Sequence, residues 1–196
     1  VFKNGIWVAG PEFPNPVAYA MYGYDKKGFY VAGGTSDGAT SLKDAYAIRS
    51  LAEGNAWETL PDLKEGLANG AGAVLKGKFY ISCGTIGTEK TNRMWVLNIA
   101  KSGTEWVECK SVPGAGRMFP SLVASGKYLY LLGGLSEVSP LTPLNDVYRY
   151  DPLKDEWTRL KDLPLKGYAW VSQLLDDKNI LVTGRADGSI HRGIYV

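Results

Sequence analysis

Histidine and cysteine are scarce in this sequence of 196 residues, which has one histidine, His191, and two cysteines, Cys83 and Cys109. A single imidazole excludes zinc sites built on two or three histidines, and it excludes copper centres that need a pair of them. Two cysteines do not provide a disulfide scaffold for a chain of this length or a four-thiolate zinc site. The sequence therefore predicts no metal site.

The sequence also lacks an excess of charge of either sign and a long apolar run. Its 22 basic and 20 acidic side chains are interspersed and leave a net charge of +2, which gives no electrostatic footprint for nucleic acid or an anionic membrane. No apolar run reaches the length of about 18 residues that spans a bilayer, and the first residues lack the stages of a signal peptide. We therefore expect neither a nucleic-acid nor a membrane partner.

Glycine and aromatic residues are abundant, and they recur at a fixed interval. The sequence has 24 glycines, 6 tryptophans, 12 tyrosines and 5 phenylalanines. Four segments that align without gaps begin at residues 29, 79, 129 and 180 and read FYVAGG, FYISCG, LYLLGG and ILVTGR. Trp57, Trp106 and Trp157 follow three of these segments at a nearly constant distance, with an aromatic strand between the two features. A period close to 50 residues indicates a repeat protein.

Each unit is predicted to contain four short strands joined by turns, because no helical periodicity is long enough to intervene. In the third unit we expect strands near residues 120–125, 128–132, 147–150 and 156–160. A lone four-stranded antiparallel sheet leaves both faces unburied, so such units stack radially about a channel. The sequence therefore predicts an all-β protein, a β-propeller of about four blades in a single domain over residues 1–196. The full blades are placed at residues 17–58, 69–107 and 118–158, three further strands at 168–196 and one fourth strand at 1–8.

A strand that ends in two glycines, followed by an aromatic strand and a tryptophan, resembles the kelch repeat. The resemblance covers essentially the whole chain and is clearest in the third unit, with Gly116-Arg117, Gly133-Gly134, Tyr148 and Trp157. We interpret the glycines as positions where the backbones of two blades approach closely, and the tryptophans as packing between sheets.

The units are offset relative to the chain, because residues 1–8 match a fourth strand and the sequence stops after a third strand. Residues 1–8 are therefore expected to pair beside Gly193–Val196, which would close a ring of four blades. Kelch rings usually have six or seven blades, so two alternatives stay open. The chain is part of a larger, six-bladed ring, or a second chain supplies the missing blades.

In kelch geometry the connections from second to third strand and from blade to blade emerge on one face, the loop face. Loops on a rigid scaffold commonly carry binding and catalytic residues. The connections place the following residues near this face: Glu12, Asp37, Asn69, Glu89, Arg93, Arg117, Glu137, Arg185, Asp187, His191 and Arg192.

Arg117 is the most informative of these residues, because the other units have Val17, Leu67 and Tyr168 at the positions that we match to it. A guanidinium near a propeller channel suits bidentate binding of a carboxylate, and Arg185 would be a second such group. The alternative for both arginines is pairing with neighbouring acidic side chains. His191 is interpreted as a surface residue, and Cys83 as a small buried group rather than a nucleophile.

Four segments sharpen the resemblance: WETLPDL at 57–63, LANGAGAV at 67–74, PGAGRM at 113–118 and NDVYRYDP at 145–152. They look like the bacterial cyclically permuted mutarotase branch of kelch proteins, which is similar to N-acetylneuraminate epimerase. The resemblance implies interconversion of the anomers of sialic acid or a related acidic sugar, in a six-bladed ring, in the periplasm or outside the cell.

Mutarotation needs one group that removes the proton of the anomeric hydroxyl and another that protonates the ring oxygen, so no metal or organic cofactor is required. Under this resemblance Glu137 or Asp187 is predicted to handle protons, and Arg117 or Arg185 to bind the carboxylate of the sugar. Asn69 and Arg93 are further candidates for substrate binding. The alternative is a non-catalytic kelch module that binds a protein or glycan through its loop face. A concave pocket with convergent arginine and acid would favour the enzyme, and a flat aromatic surface would favour the docking module.

Overall fold

Short antiparallel strands account for all the regular structure in the part of the chain that is described. The structure is a computed structural model, and it describes residues 1–52, 55–136, 141–176, 179–186 and 189–195. These residues include no helix with the length and apolar character needed to cross a membrane. The all-β prediction is confirmed.

The first two strands form a small hairpin of their own. They are β1 (Phe2–Lys3) and β2 (Ile6–Trp7), which pair only with each other in the described chain. Asn4 and Gly5, which join them, have φ of +53° and +82°. An Asn-Gly pair with positive φ at both residues favours a two-residue hairpin turn. This differs from the single fourth strand expected over residues 1–8, because the local turn signal overrides the match to the repeat.

The next strands form two complete blades, each with its strands paired in sequence order. Blade 1 contains β3 (Met21–Asp25), β4 (Gly28–Ala32), β5 (Ala45–Ile48) and β6 (Glu58–Leu60). Blade 2 contains β7 (Ala71–Leu75), β8 (Lys78–Ile86), β9 (Glu89–Asn98) and β10 (Val107–Cys109).

The strands of the third and fourth blades are connected into one sheet by a β-bridge between Leu144 and Gly167. Blade 3 contains β11 (Arg117–Met118), β12 (Ser121–Ser125), β13 (Tyr128–Ser136), β14 (Thr142–Asp151) and β15 (Glu156–Arg159). Blade 4 contains β16 (Gly167–Leu174), β17 (Ile180–Ala186) and β18 (Ser189–Tyr195). In the described residues β18 pairs with β17 alone, so the expected pairing between the two ends of the chain is not formed.

The second and third strands of blades 2 and 3 are longer than predicted. The connections 85–93 and 135–145 were expected to be loops, but β8 and β9 continue through the first, and β13 and β14 extend into the second. The register shifts between Ser82 and Gly84 and between Leu132 and Gly134, which are β-bulges. A bulge absorbs one residue and allows pairing to resume beyond it. The strand pairing of blades 2 and 3 therefore continues beyond the bulge, to Ile86–Glu89 in blade 2 and to Ser136–Thr142 in blade 3.

Apolar clusters fill the gaps between successive blades. Met21 and Tyr30 of blade 1 pack with Phe79 and Trp106 of blade 2. A second cluster joins blade 2 to blade 3, and a third joins blade 3 to blade 4 around Trp170. Each sheet thus buries a face against its neighbour, which is the packing of a β-propeller.

The repeated glycines stand where two blades meet. A Cβ on Gly33, which has φ of +64°, would lie 2.1 Å from the carbonyl oxygen of Leu67 in the next connection. A Cβ on Gly133, which has φ of +52°, would lie 2.8 Å from the carbonyl oxygen of Gly167 in blade 4. These distances leave no room for a side chain, as the structural interpretation predicts.

The repeated tryptophans connect each blade to the preceding one. Trp106 Nε1 donates to the Pro61 carbonyl over 2.8 Å, and Trp157 Nε1 donates to the Lys110 carbonyl over 2.8 Å. Trp57 makes the corresponding bond to Pro11 over 3.4 Å. Trp106 and Trp157 therefore satisfy a carbonyl just after the fourth strand of the preceding blade, and Trp57 satisfies one that follows the N-terminal hairpin.

Candidate functional site

The inner strands β3, β7, β12 and β16 line a channel of about 440 Å³. This volume lies within the range of small-molecule sites, about 300 to 1,000 Å³. Among the residues that the structure describes, the lining carries no charged side chain. Its polar side chains are hydroxyls and one amide, from Tyr22, Tyr24, Ser121, Ser172 and Gln173.

The polar groups of the channel wall mostly bond to one another. Gln173 Nε2 of blade 4 donates to the Tyr24 hydroxyl of blade 1 over 2.8 Å, near the ends of β16 and β3. The hydroxyls of Ser121 and Ser172 are hydrogen-bonded between blades 3 and 4. The bond between Tyr24 and Gln173 lies at the end of the channel where the inner strands finish, whereas Ser121 is the first residue of β12 and lies near the opposite end, where the inner strands begin.

Four residues spaced by the repeat surround that opposite end, and we call them the mouth residues: Tyr19, Asn69, Phe119 and Ala169. All four have a left-handed backbone, with φ of +56°, +61°, +54° and +53° in chain order. The amide of Asn69 donates to the Tyr19 carbonyl (3.0 Å), that of Phe119 to the Asn69 carbonyl (2.7 Å), and that of Ala169 to the Phe119 carbonyl (2.9 Å). Within the described residues no such bond joins Tyr19 to Ala169, so the series is open between blades 4 and 1.

Sequence reasoning identified only one of the mouth residues, Asn69. Its side chain is half-buried, and its Nδ2 donates to Thr85 Oγ1 over 2.9 Å. Tyr19, Phe119 and Ala169 were missed because the four residue types differ. Their spacing of 50 positions from Asn69 is the signal that would have found them.

Arg117 does not reach the channel, because its guanidinium is buried and paired. Nη1 and Nη2 donate to the two carboxylate oxygens of Asp146 over 2.6 and 2.9 Å, and weaker bonds reach the carbonyls of Gly133 and Pro113. The side chain is 1% exposed. This geometry favours the alternative in which Arg117 pairs with a neighbouring acid.

The position in blade 4 that matches Arg117 is Gly167 rather than Tyr168. A Cβ on Gly33 would meet the Leu67 carbonyl, and a Cβ on Gly133 would meet the Gly167 carbonyl in the same way. Ala169 likewise keeps the spacing of 50 from Phe119. The extra residue of the fourth unit therefore lies after β16, in the connection to β17.

Arg93 is also paired, and it lies at the outer part of blade 2. It donates to Glu65 over 2.7 Å and to Glu108 over 2.8 Å, and its guanidinium lies over the Trp95 ring. The hydrogen bonds from Arg93 hold the pKa of Glu108 below its usual range. The structure thus places Arg93 in a surface ion pair and not at the channel mouth.

The remaining candidates lie on the connections of blades 3 and 4. Arg185 is in β17, paired across the sheet with Tyr168 and Ile190. Glu137 and Asp187 lie outside the described residues. In the described chain no group of three or more histidine, cysteine or acidic residues is placed to hold a metal ion.

Cys83 stands where the first and third units have glycine. Its φ is +62°, its side chain is fully buried, and burial raises the pKa of its thiol to about 11. A thiol with this pKa is neutral at physiological pH and is a poor nucleophile. The structure agrees with its interpretation as a small buried group.

Comparisons with known proteins point to one family. A family profile described as N-acetylneuraminate epimerase matches residues 60–195. The chain is similar to the N-acetylneuraminate epimerases of Salmonella typhi, at 34% identity over 145 residues, and of Haemophilus influenzae strain PittEE, at 29% over 140 residues. Both alignments cover 70% of this chain and 36% of the relative, so the chain spans about a third of the length of these curated relatives.

A solved structure described as "Structure of YjhT" is similar in fold. The TM-score is 0.58 at 24% sequence identity, over 64% of this chain and 36% of that chain. At this identity the similarity supports the propeller architecture alone.

Proposed function

This chain belongs to the N-acetylneuraminate epimerase family, and from that membership we propose that it binds N-acetylneuraminate or a related acidic sugar and interconverts its anomers. The observation that carries the proposal is the family match over residues 60–195, which includes three of the mouth residues and three of the four inner strands. The channel behind the mouth has the volume of a small-molecule site. The proposed sugar site is therefore the channel mouth.

The proposed reaction is ring opening followed by reclosure on the other face of the anomeric carbon. A base removes the proton of the anomeric hydroxyl while an acid protonates the ring oxygen, and the C–O bond of the ring breaks. Reclosure reverses these transfers, so no atom is lost and no oxidant is needed. Glu137 and Asp187, which lie in the sequence between β13 and β14 and between β17 and β18, are the proposed proton-transfer groups.

For the sugar carboxylate we propose Arg185. A guanidinium binds a carboxylate through two parallel hydrogen bonds. The Arg117 guanidinium already makes both of these bonds to Asp146 and is not available to a ligand. Arg185 replaces a repeat glycine near the end of a strand on the loop face. We also propose that the protein acts in the periplasm or outside the cell, on the basis of the family resemblance.

A second candidate function is sugar binding without catalysis. The absence of charged side chains from the channel lining of the described residues favours this alternative, because acid–base catalysis requires a titratable group within hydrogen-bond reach of the sugar. The same loop face would then act as a docking surface for a glycan or a protein.

The test is the rate at which the α anomer of N-acetylneuraminate, freshly released by a sialidase, converts to the β anomer in the presence of the 196-residue chain. Proton NMR resolves the two anomers. We expect acceleration over the spontaneous reaction, and a loss of at least about 100-fold of that acceleration in whichever of Glu137→Gln and Asp187→Asn removes the general acid or base. Arg159→Gln, which changes an exposed pair with Asp162, is the control that retains the wild-type rate.

Two results would change the proposal. Sugar binding without any acceleration would establish the binding module in place of the enzyme. If the acceleration is retained in both acid variants and in Arg185→Ala, the proposed roles of these three residues are wrong. The proposed reaction would still hold.

A further inference from the structure

We propose that Tyr19 and Phe119 form an aromatic platform at the channel mouth, against which the apolar face of a pyranose ring or an N-acetyl methyl group stacks. The inference rests on the proposed function, because it concerns how the same site recognises its sugar. It gives Tyr19 and Phe119 a role in selecting the sugar. Neither the packing of the repeat nor the proposed proton transfer accounts for aromatic side chains at these two positions.

The backbone of the mouth residues is required by the fold, but their side chains are not. The same left-handed φ recurs at all four positions, and three amide-to-carbonyl bonds join successive mouth residues. In this conformation an L-residue brings its Cβ close to backbone oxygen, and asparagine tolerates it better than aromatic residues do. Asn69 follows that preference. Tyr19 and Phe119 depart from it, so their rings are accommodated at a cost in stability.

At Tyr19 the strain of the left-handed backbone is not offset by burial of the side chain. Its side chain is 60% exposed, and its ring contact within the described residues is with Phe119, at 5.9 Å between centroids and 55° between planes. Phe119 is half-buried and lines the channel. Residues with a strained backbone persist where the surrounding structure fixes their conformation, and they are concentrated at active sites and ligand-binding sites. An exposed aromatic residue with a left-handed backbone at the channel mouth therefore points to a ligand.

The shape and chemistry of the mouth fit a sugar. The two rings lie 5.9 Å apart and are tilted by 55°, so together they offer apolar surface to a ligand at the channel mouth. Asn69 lies between them in the series of mouth residues and donates its Nδ2 to Thr85, so its Oδ1 is left to accept a bond from a sugar hydroxyl or N–H group. Apolar walls with a few placed polar groups are typical of small-molecule sites.

The experiment is an isothermal titration of the 196-residue chain with N-acetylneuraminate, for the wild type and for Tyr19→Asn and Phe119→Asn. Asparagine is chosen because the repeat itself uses it at this backbone position. We expect each substitution to weaken binding by about fivefold to tenfold while the melting temperature stays the same or rises. Trp7→Asn, which removes an exposed ring from the N-terminal hairpin, is expected to bind as the wild type does.

The outcomes separate the platform from the proposed function. Wild-type binding with unchanged affinity in both asparagine variants would overturn the platform and leave the function standing. If the wild type fails to bind N-acetylneuraminate, the proposed function fails, and methyl N-acetyl-β-glucosaminide then replaces it as the probe. Binding of this neutral sugar that is lost in the asparagine variants supports the platform, and no binding by the wild type overturns it.

Discussion

Blade 1 and blade 2 carry the same residue type at one matched position, and the two side chains have different environments. Phe79 of blade 2 is 0% exposed, whereas Phe29 of blade 1 is 36% exposed. On the other side of the molecule, Met21 of blade 1 is 1% exposed, and Val171 at the matched position of blade 4 is 63% exposed. The exposed fractions differ because Phe79 and Met21 face a neighbouring blade. Phe29 and Val171 lie on the outer flanks of blades 1 and 4, where no blade packs against them in the described residues.

This contrast shows that the repeated sequence gives each blade apolar side chains on both flanks. A flank is buried only where a neighbouring blade packs against it. In a repeat architecture, stability is close to a sum of unit terms and nearest-neighbour interfaces. The exposed flanks of blades 1 and 4 have the same kind of apolar residues as the covered ones, including Tyr22 and Phe29 on blade 1. They fit a ring that further blades or a second chain would complete better than a ring of four that closes on itself.

The largest expected effect comes from breaking the ion pair at the junction of blades 2 and 3. Arg117→Ala leaves Asp146 buried without its partner, and we expect a loss of about 4 kcal/mol in the free energy of unfolding. Urea unfolding followed by tryptophan fluorescence measures this loss. Arg93→Ala removes an exposed pair from the outer part of blade 2 and should cost below about 1 kcal/mol. Equal losses in the two variants would show that burial does not distinguish the pairs.

The matched phenylalanines provide the next test of the comparison. We expect Phe79→Ala to destabilise the protein by about 3 kcal/mol, because it leaves a cavity in the interface of blades 1 and 2. Phe29→Ala should cost about 1 kcal/mol or less, since the side chain is already partly exposed. The difference between the two midpoints of urea unfolding measures what a neighbouring blade contributes. Should Phe29→Ala prove as costly as Phe79→Ala, the flank of blade 1 would have to be covered in solution.

The fold was predictable from the sequence wherever the same local chemistry recurs in each unit. The glycine pairs and tryptophans predicted the blade interfaces, because a missing side chain and an indole N–H act in the same way in every copy. The N-terminal hairpin was not predicted, because Asn4-Gly5 is a local turn signal inside a segment that matches a fourth strand.

The site was less predictable, because its features depend on backbone geometry and on long-range register. The mouth residues share a left-handed φ and are joined by a series of backbone hydrogen bonds. Neither feature can be recognised in the sequence, because the four side chains differ. Arg117 and Asp146 are 29 residues apart, so their pairing follows from the packing of β11 beside β13 and β14 and not from any local spacing. Arg93 was predicted to lie in a loop on the loop face, because it follows β8 in the sequence. The strand β9 begins earlier than predicted and includes Arg93, whose side chain pairs with Glu108.

The smallest expected effect concerns the exposed pair of Arg93 with Glu108 and its dependence on pH. Arg93 lowers the pKa of Glu108 in the folded protein, so the pair stabilises the fold above the unfolded pKa of about 4.3. That contribution is lost as the pH falls through the lower pKa of the folded state, and solvent screening keeps it below about 1 kcal/mol. We expect Glu108→Gln to narrow the difference in urea midpoint between pH 7 and pH 3, and Glu105→Gln, at an exposed site nearby, to leave it unchanged. If Glu108→Gln has no more effect than Glu105→Gln, the exposed pair of Arg93 with Glu108 contributes nothing measurable to the stability of the protein.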